Sequence, residues 1–279
     1  MPDFSRRVFV RTTAASAAAL MAGPAALAAR RKKLPIGVQL YSVGKEAAAD
    51  LPGTLAAIKK MGYDGVEFAG YYNQDATALR KLLDDNGLKA CGSHTGLRTM
   101  VGDELPKTIE FNQILGNRFL VAPSLPKENT SSLEAWAKTA AVFDEIAQKL
   151  KPHKMHVGYH NHTAEFQSLE GQVPLEFFFS KTNKAVFMQL DIGHWARAGG
   201  DPVAMLKKFR GRALTMHVKD FNPNNRGALI GEGQVKWPEV FQACEKGGTQ
   251  WYIIEEEGRA YPGLEGIERS VKNLKKLLA

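Results

Sequence analysis

Cysteine is scarce. Cys91 and Cys244 are the two cysteines in 279 residues, too few to staple a small disulfide scaffold. In an exported protein they could pair; two free, buried thiols fit equally well, and neither is given a role. No G-x-G-x-x-G follows the first predicted strand, where the chain reads Gln39-Leu40-Tyr41-Ser42-Val43-Gly44. That argues against an open, dinucleotide-binding sheet. The apolar run over residues 14–27 is too short and too rich in alanine for a good membrane span. No basic patch survives beyond residue 33. The formal net charge is +8, but seven cations against one acid fall in the first 33 residues, so the remainder carries +2. A nucleic-acid partner is therefore not expected. No internal repeat is visible beyond the alternation described below.

The start of the chain has its own logic. Arg6 and Arg7 precede Val8, Phe9 and Val10; a small apolar run follows, then Ala26-Leu27-Ala28 with the small-x-small pattern of a processing site. Residues 1–29 read as a secretory signal. The paired arginines of Ser5-Arg6-Arg7-Val8-Phe9-Val10 point to twin-arginine export and a periplasmic location. An ordinary secretory signal whose basic start holds two arginines is the alternative. Twin-arginine export carries folded proteins, often with a metal or cofactor already loaded. Removing the signal leaves about 250 residues, the usual size of one α/β barrel. The composition, 44% hydrophobic and 24% charged, is that of a soluble globular protein.

From residue 34 onward, short β-type runs alternate with helical periodicity. Strands are predicted at 36–40, 65–68, 89–93, 118–121, 156–160, 185–190, 213–217 and 251–255. Gly62, Gly87 and Gly116 stand where helices should stop. Ser131 and Glu134 suggest a capping box for a long helix over 132–150, and Asp201 with Pro202 opens another helix. Eight strand–helix units predict a single-domain (β/α)8 TIM barrel over 34–279, with an open doubly wound sheet as the alternative.

In such a barrel the working residues lie at the C-terminal strand ends. Here those ends read Ser93-His94-Thr95, Tyr159-His160-Asn161-His162, Gln189-Leu190-Asp191-Ile192-Gly193-His194-Trp195, His217-Val218-Lys219-Asp220 and Glu255-Glu256-Glu257. Five of the seven histidines thus gather on one face: His94, His160, His162, His194 and His217. His153 and His156 belong to the other end of the fifth strand. Asp191, Glu255 and Glu257 join the five. A mixed imidazole and carboxylate set suits Mn, Zn, Fe, Co or Ni better than Ca or Mg alone.

These landmarks, with Gly37-Val38-Gln39-Leu40-Tyr41-Ser42 and Gly62-Tyr63-Asp64-Gly65-Val66-Glu67 before them, resemble the xylose-isomerase-like barrel family of sugar phosphate isomerases and epimerases. The resemblance runs from residue 36 to the end. It implies one divalent metal (Mn, Zn, Co, Fe or Mg) held by the last four strands, usually by Glu, Asp, His and Glu. Carried onto this chain, it places Asp191, His217 and Glu255 as ligands, with Glu257 the rival of Glu255. The fifth-strand position, often Glu, is His160 here; His162 or Glu165 are the other candidates for a fourth ligand. His94, His194, Lys219 and Glu165 form the candidate catalytic set. His94 and His194 would serve as substrate contacts or acid–base groups, and otherwise as hydrogen-bonded supports of the ligands. Lys219 is a candidate to polarise a substrate oxygen, or simply to pair with Asp220. Glu67 is either a support for the site or a solvated strand-end acid. Glu232, in the Gly231-Glu232-Gly233 turn, is a candidate to reach the site. Tyr41, Phe68, Trp195 and Trp237 are candidates for an apolar wall against a sugar ring, or ordinary packing.

The implied chemistry is a metal that polarises a carbonyl and stabilises the enediolate left when an adjacent proton is removed. Returning the proton elsewhere isomerises or epimerises; expelling a β-leaving group is lyase chemistry. Export, and the missing phosphate loop, favour a free or keto sugar, a keto-glycoside or a cyclitol as the small-molecule carbohydrate substrate. A non-catalytic sugar-binding barrel and an abasic-site endonuclease-like hydrolase are the alternatives. The chain is expected to leave the membrane after signal cleavage, and a homo-oligomer stays open.

Overall fold

Eight short strands form where the β-type runs lie: β1 (Ile36–Gln39), β2 (Gly65–Phe68), β3 (Lys89–His94), β4 (Phe119–Ala122), β5 (His156–His160), β6 (Phe187–Asp191), β7 (Thr215–His217) and β8 (Trp251–Ile254). The computed structural model describes residues 33–257 and 260–279. The segment read as an export signal, 1–29, lies outside the described residues. All eight strands pair in parallel and in sequence order, and β1 closes onto β8. This is the expected (β/α)8 TIM barrel, which leaves no open sheet edge. The sixth and seventh strands start later than predicted, at Phe187 and Thr215.

Ten α-helices lie among the described residues, with short 3-10 turns between some of them: α1 (Gly44–Ala49), α2 (Leu51–Met61), α3 (Ala76–Asp85), α4 (Glu104–Leu115), α5 (Leu133–Leu150), α6 (Pro174–Lys181), α7 (Ile192–Arg197), α8 (Pro202–Lys208), α9 (Trp237–Gly247) and α10 (Gly263–Leu277). The cap of α5 is Ser132, whose Oγ accepts from the Ala135 N–H at 3.1 Å. Ser131 does not fill that position, and Glu134 pairs with Lys138 instead of closing a capping box. The pattern did not predict α7. It begins directly at the end of β6 because the Asp191 carboxylate accepts from the His194 N–H at 2.7 Å and starts a helical turn there.

Side chains alternate across each strand, and the two faces differ sharply. Val38, Val66, Leu120, Val157, Met188, Leu190, Met216 and Ile254 point outward into one continuous core shared with the helices. Inside the barrel, Phe119, Val121 and Phe187 form a separate apolar plug. Gly158 makes room for it: a Cβ there would come within 2.6 Å of the Phe187 ring. Above the plug the interior turns polar, with Gln39, Glu67, Gln189 and Thr215 all fully buried. The candidate site rests on this polar layer.

Both cysteines are free and fully buried. Burial pushes the Cys244 thiol up to about 12 and Cys91 well above its ordinary range. Neither thiol should react with Ellman's reagent in the native protein, and both should react after unfolding. A thiol titrated under native conditions would contradict this packing.

Candidate metal centre and active site

The C-terminal ends of β5 to β8 bring four side chains together. His160, Asp191, His217 and Glu255 each offer one atom, and the four atoms lie within 4.8 Å of one another. All four residues are buried. Strand alternation points His160, Asp191 and His217 inward, and Glu255 follows Ile254 at the end of β8. Asn161 ties two of these ends together: its Oδ1 accepts from the Asp191 N–H at 2.9 Å, and its Nδ2 donates back to the Asp191 carbonyl. The sequence reading gave Asn161 no role.

Beneath the quartet sits Glu67, at the centre of the barrel. Its Oε2 accepts from Gln39 Nε2 at 2.8 Å and lies 2.7 Å from His217 Nε2. Its Oε1 accepts from Gln189 Nε2 at 2.7 Å. Gln189 Oε1 in turn accepts from His94 Nε2 at 3.0 Å. Of the two readings the sequence allowed for Glu67, the structure agrees with a support for the site and excludes a solvated strand-end acid. The other ring nitrogen of His217, Nδ1, faces Glu255 Oε2 at 3.3 Å and Asp191 Oδ2 at 4.0 Å.

Lys219 supplies the second cation. Its Nζ lies 2.9 Å from Glu255 Oε2, 3.1 Å from Glu257 Oε1 and 3.3 Å from Asp191 Oδ2. The expected alternative, a pair with Asp220, is not formed. Asp220 is occupied by the loop after β7, accepting from the N–H groups of Phe221, Gly231 and Val235 and from Trp237 Nε1.

Burial and charge set the protonation states. Burial alone would lower His217, but Glu67 and Glu255 on its two sides raise it to about 10. Burial likewise opposes the charge on Lys219, and its three acids overcome it and raise the group. Burial, with His217 and His94 close by, holds His160 well below the ordinary imidazole range. His194 is also lowered, chiefly by burial. Against the burial that would raise them, neighbouring cations hold Glu255 well below, and His94 and His217 hold Glu67 below, the usual carboxylate value.

One atom of the quartet is anomalous. His160 Nδ1 is buried with no hydrogen-bond partner, whereas Asp191 Oδ2 is buried with no hydrogen bond but has the Lys219 ammonium beside it, at 3.3 Å. Buried polar groups are almost always paired, so the bare His160 Nδ1 needs a partner, and a cation held among the four side chains would supply one. Two imidazoles and two carboxylates are an ordinary donor set for a divalent transition ion, and the residues present fit one. His94 adds a third imidazole, within the same reach of His160 and His217.

A cleft of about 810 Å³ opens over the quartet, lined by Tyr41, Ala69, Gly70, His94, Pro123, Ser124, His160, His162, His194, Lys219, Glu255 and Glu257. His194 Nδ1 is engaged by Thr163 Oγ1 at 3.1 Å, and its Nε2 lies 3.6 Å from Glu257 Oε1. Of the predicted wall, only Tyr41, 67% exposed, lines the cleft. Trp195 packs on Phe166, Phe68 on Tyr71 and Trp237 on Phe241. Glu165 is not brought to the quartet. Its Oε1 accepts from Tyr159 OH at 2.7 Å and its Oε2 from the His162 N–H at 2.9 Å. Tyr159 alternates with His160 and so points outward toward α5 and α6, and Glu165 goes with it. Glu232 accepts from the Leu229 N–H and from Asn273 instead of reaching the cleft.

Comparisons with known proteins agree with this architecture. The profile of the family described as "xylose isomerase-like TIM barrel" matches residues 55–277. The chain is 24% identical over 243 residues to the rhizopine catabolism protein MocC of Rhizobium meliloti, covering 73% of each. It is 22% identical over 241 residues to an inosose dehydratase of Klebsiella pneumoniae, covering 70% of this chain and 79% of the relative. A crystal structure of a sugar phosphate isomerase/epimerase from Parabacteroides distasonis superposes with a TM-score of 0.75 at 26% identity, covering 90% of this chain and 96% of that one.

Proposed function

Because the chain belongs to the xylose isomerase-like TIM barrel family, we propose that it is a divalent-metal-dependent isomerase, epimerase or lyase acting on a sugar, keto-glycoside or cyclitol. The observation that carries this reading is the buried quartet, in which His160 Nδ1 has no hydrogen-bond partner. The likeness to an inosose dehydratase and to a sugar phosphate isomerase/epimerase supports a carbohydrate or cyclitol substrate. The reading includes export through the signal in residues 1–29.

His160, Asp191, His217 and Glu255 would hold the ion. When bound, a divalent ion supplies Lewis acidity to two neighbouring substrate oxygens. The chain's own side chains do the rest. Lys219, kept protonated by its three acids, faces the cleft and donates to a substrate oxygen on which negative charge develops. His194, held neutral at neutral pH by burial, offers Nε2 to take a carbon-bound proton beside the carbonyl. His94 gives its Nε2–H to Gln189, so in the neutral ring Nδ1 carries the lone pair and is the second candidate for proton transfer. Proton return to a different atom or face gives an isomer or epimer; departure of a β-substituent gives an elimination.

The test is activity of the purified protein on keto-glycosides, inososes and simple ketoses, with elemental analysis alongside. Chelation should remove the ion and the activity together, and added Mn²⁺, Zn²⁺ or Co²⁺ should restore both. Full activity after complete metal removal would rule the reading out. Sugar binding with no bound metal and no turnover would instead favour a non-catalytic sugar-binding barrel.

A further inference from the structure

Resting on the metal reading above, we propose that Glu67 is a positioning residue, which fixes the His217 ring so that Nδ1 is presented to the ligand quartet. The two ring nitrogens face different carboxylates. Nε2 lies 2.7 Å from Glu67 Oε2, whereas Nδ1 faces Glu255 Oε2 at 3.3 Å. A carboxylate behind an imidazole sets its tautomer, stops its rotation and makes the other nitrogen a better ligand. Glu67 is itself immobilised, by Gln39 Nε2 on Oε2 and Gln189 Nε2 on Oε1.

The backbone is also built around this acid. The register of β2 against β3 shifts between Val66 and Glu67, which sets Glu67 opposite Gly92. A Cβ at Gly92 would stand 2.3 Å from Glu67 Oε1. So a bulge, a glycine and two glutamines are all arranged to hold one carboxylate that solvent does not reach. An acid with no task at such a place is poorly explained, since an apolar residue of similar volume is often no less stable there.

The experiment is a Co²⁺ titration of the metal-free protein, followed by the visible absorption of the bound ion. Glu67→Gln keeps the shape but turns an amide NH₂ toward the donor of Gln39 or Gln189. It is expected to weaken Co²⁺ binding about 10–100-fold and to shift the absorption band. Gly92→Ala leaves Glu67 and all four ligands in place but displaces the carboxylate; it should weaken binding in the same direction and move the band. Gln39→Met, which frees one side of the carboxylate, supplies the same readout should Glu67→Gln not fold. Unchanged affinity and spectrum in these variants, even with a lowered melting temperature, would make Glu67 a purely structural acid and overturn the inference. Failure of the wild-type chain to bind Co²⁺ would instead overturn the metal reading itself, and this inference with it.

Discussion

His217→Ala is expected to purify essentially free of metal and to lose about 10³-fold or more in turnover, roughly 4 kcal/mol of transition-state stabilisation. His217 alone among the quartet contacts both the ligand group and the polar layer beneath it. Its removal takes one of four donors from the ion and leaves Glu67 and Glu255 facing a gap. In the metal-free protein it also removes the cation between two buried carboxylates, at a cost of about 3–5 kcal/mol. The variant should therefore melt well below the wild type even before metal is considered. Elemental analysis per chain, a thermal melt and turnover on whichever substrate the wild type accepts give three separate readouts. Should the alanine variant not fold, His217→Gln keeps a polar group near the Nε2 position, toward Glu67, without the Nδ1 donor, and is expected to lose metal with a smaller loss of stability. A folded variant that keeps stoichiometric metal and wild-type turnover would remove His217 from the site.

The gathering of these side chains was readable before any coordinates, and the reason is geometric. A parallel strand alternates its side chains, and a barrel gathers the C-terminal strand ends on one face. Strand boundaries therefore put His160, Asp191 and His217 on that face, and the family resemblance, not geometry, singled out Asp191, His217 and Glu255 as ligands. Glu67 was only half readable, as a support for the site or a solvated strand-end acid. It lies inside a fully buried strand, Gly65–Phe68, where a lone acid in four residues looks like a strand terminus. What makes it central is the register shift against β3 and the absence of a side chain at Gly92, and neither leaves a mark in local periodicity. Glu165 failed for the opposite reason. Its spacing after His162 suggested a reach into the site, but the short 3-10 turn Ala164–Phe166 sends it to the outward-facing Tyr159. Aromatic residues near strand ends were equally uninformative, since Trp195, Phe68 and Trp237 all found apolar partners outside the cleft. Tyr41 differs because it sits on the turn after β1 rather than on a packed face.

Lys219→Met is expected to separate charge compensation from chemistry. Methionine keeps much of the length and apolar character of the lysine stem and removes its ammonium. In the metal-free protein Lys219 is held among Asp191, Glu255 and Glu257, so its loss leaves a buried group of carboxylates short of one cation. The expected destabilisation is about 3–5 kcal/mol, a fall in melting temperature of roughly 10 °C for a chain of this size. A divalent ion carries the missing charge into the same place. Saturating Zn²⁺ or Co²⁺ should therefore raise the melting temperature of the variant by more than it raises that of the wild type. Turnover of the metal-loaded variant should still fall by about 10²-fold, because no ammonium remains to meet the substrate oxygen. The two effects have different origins: metal repairs the first and leaves the second. If metal restored turnover as well as stability, Lys219 would be a counter-charge and nothing more. If the melting temperature of the metal-free variant did not move, or metal stabilised both proteins equally, then the lysine does not compensate these acids, and the electrostatic account of the quartet fails with it.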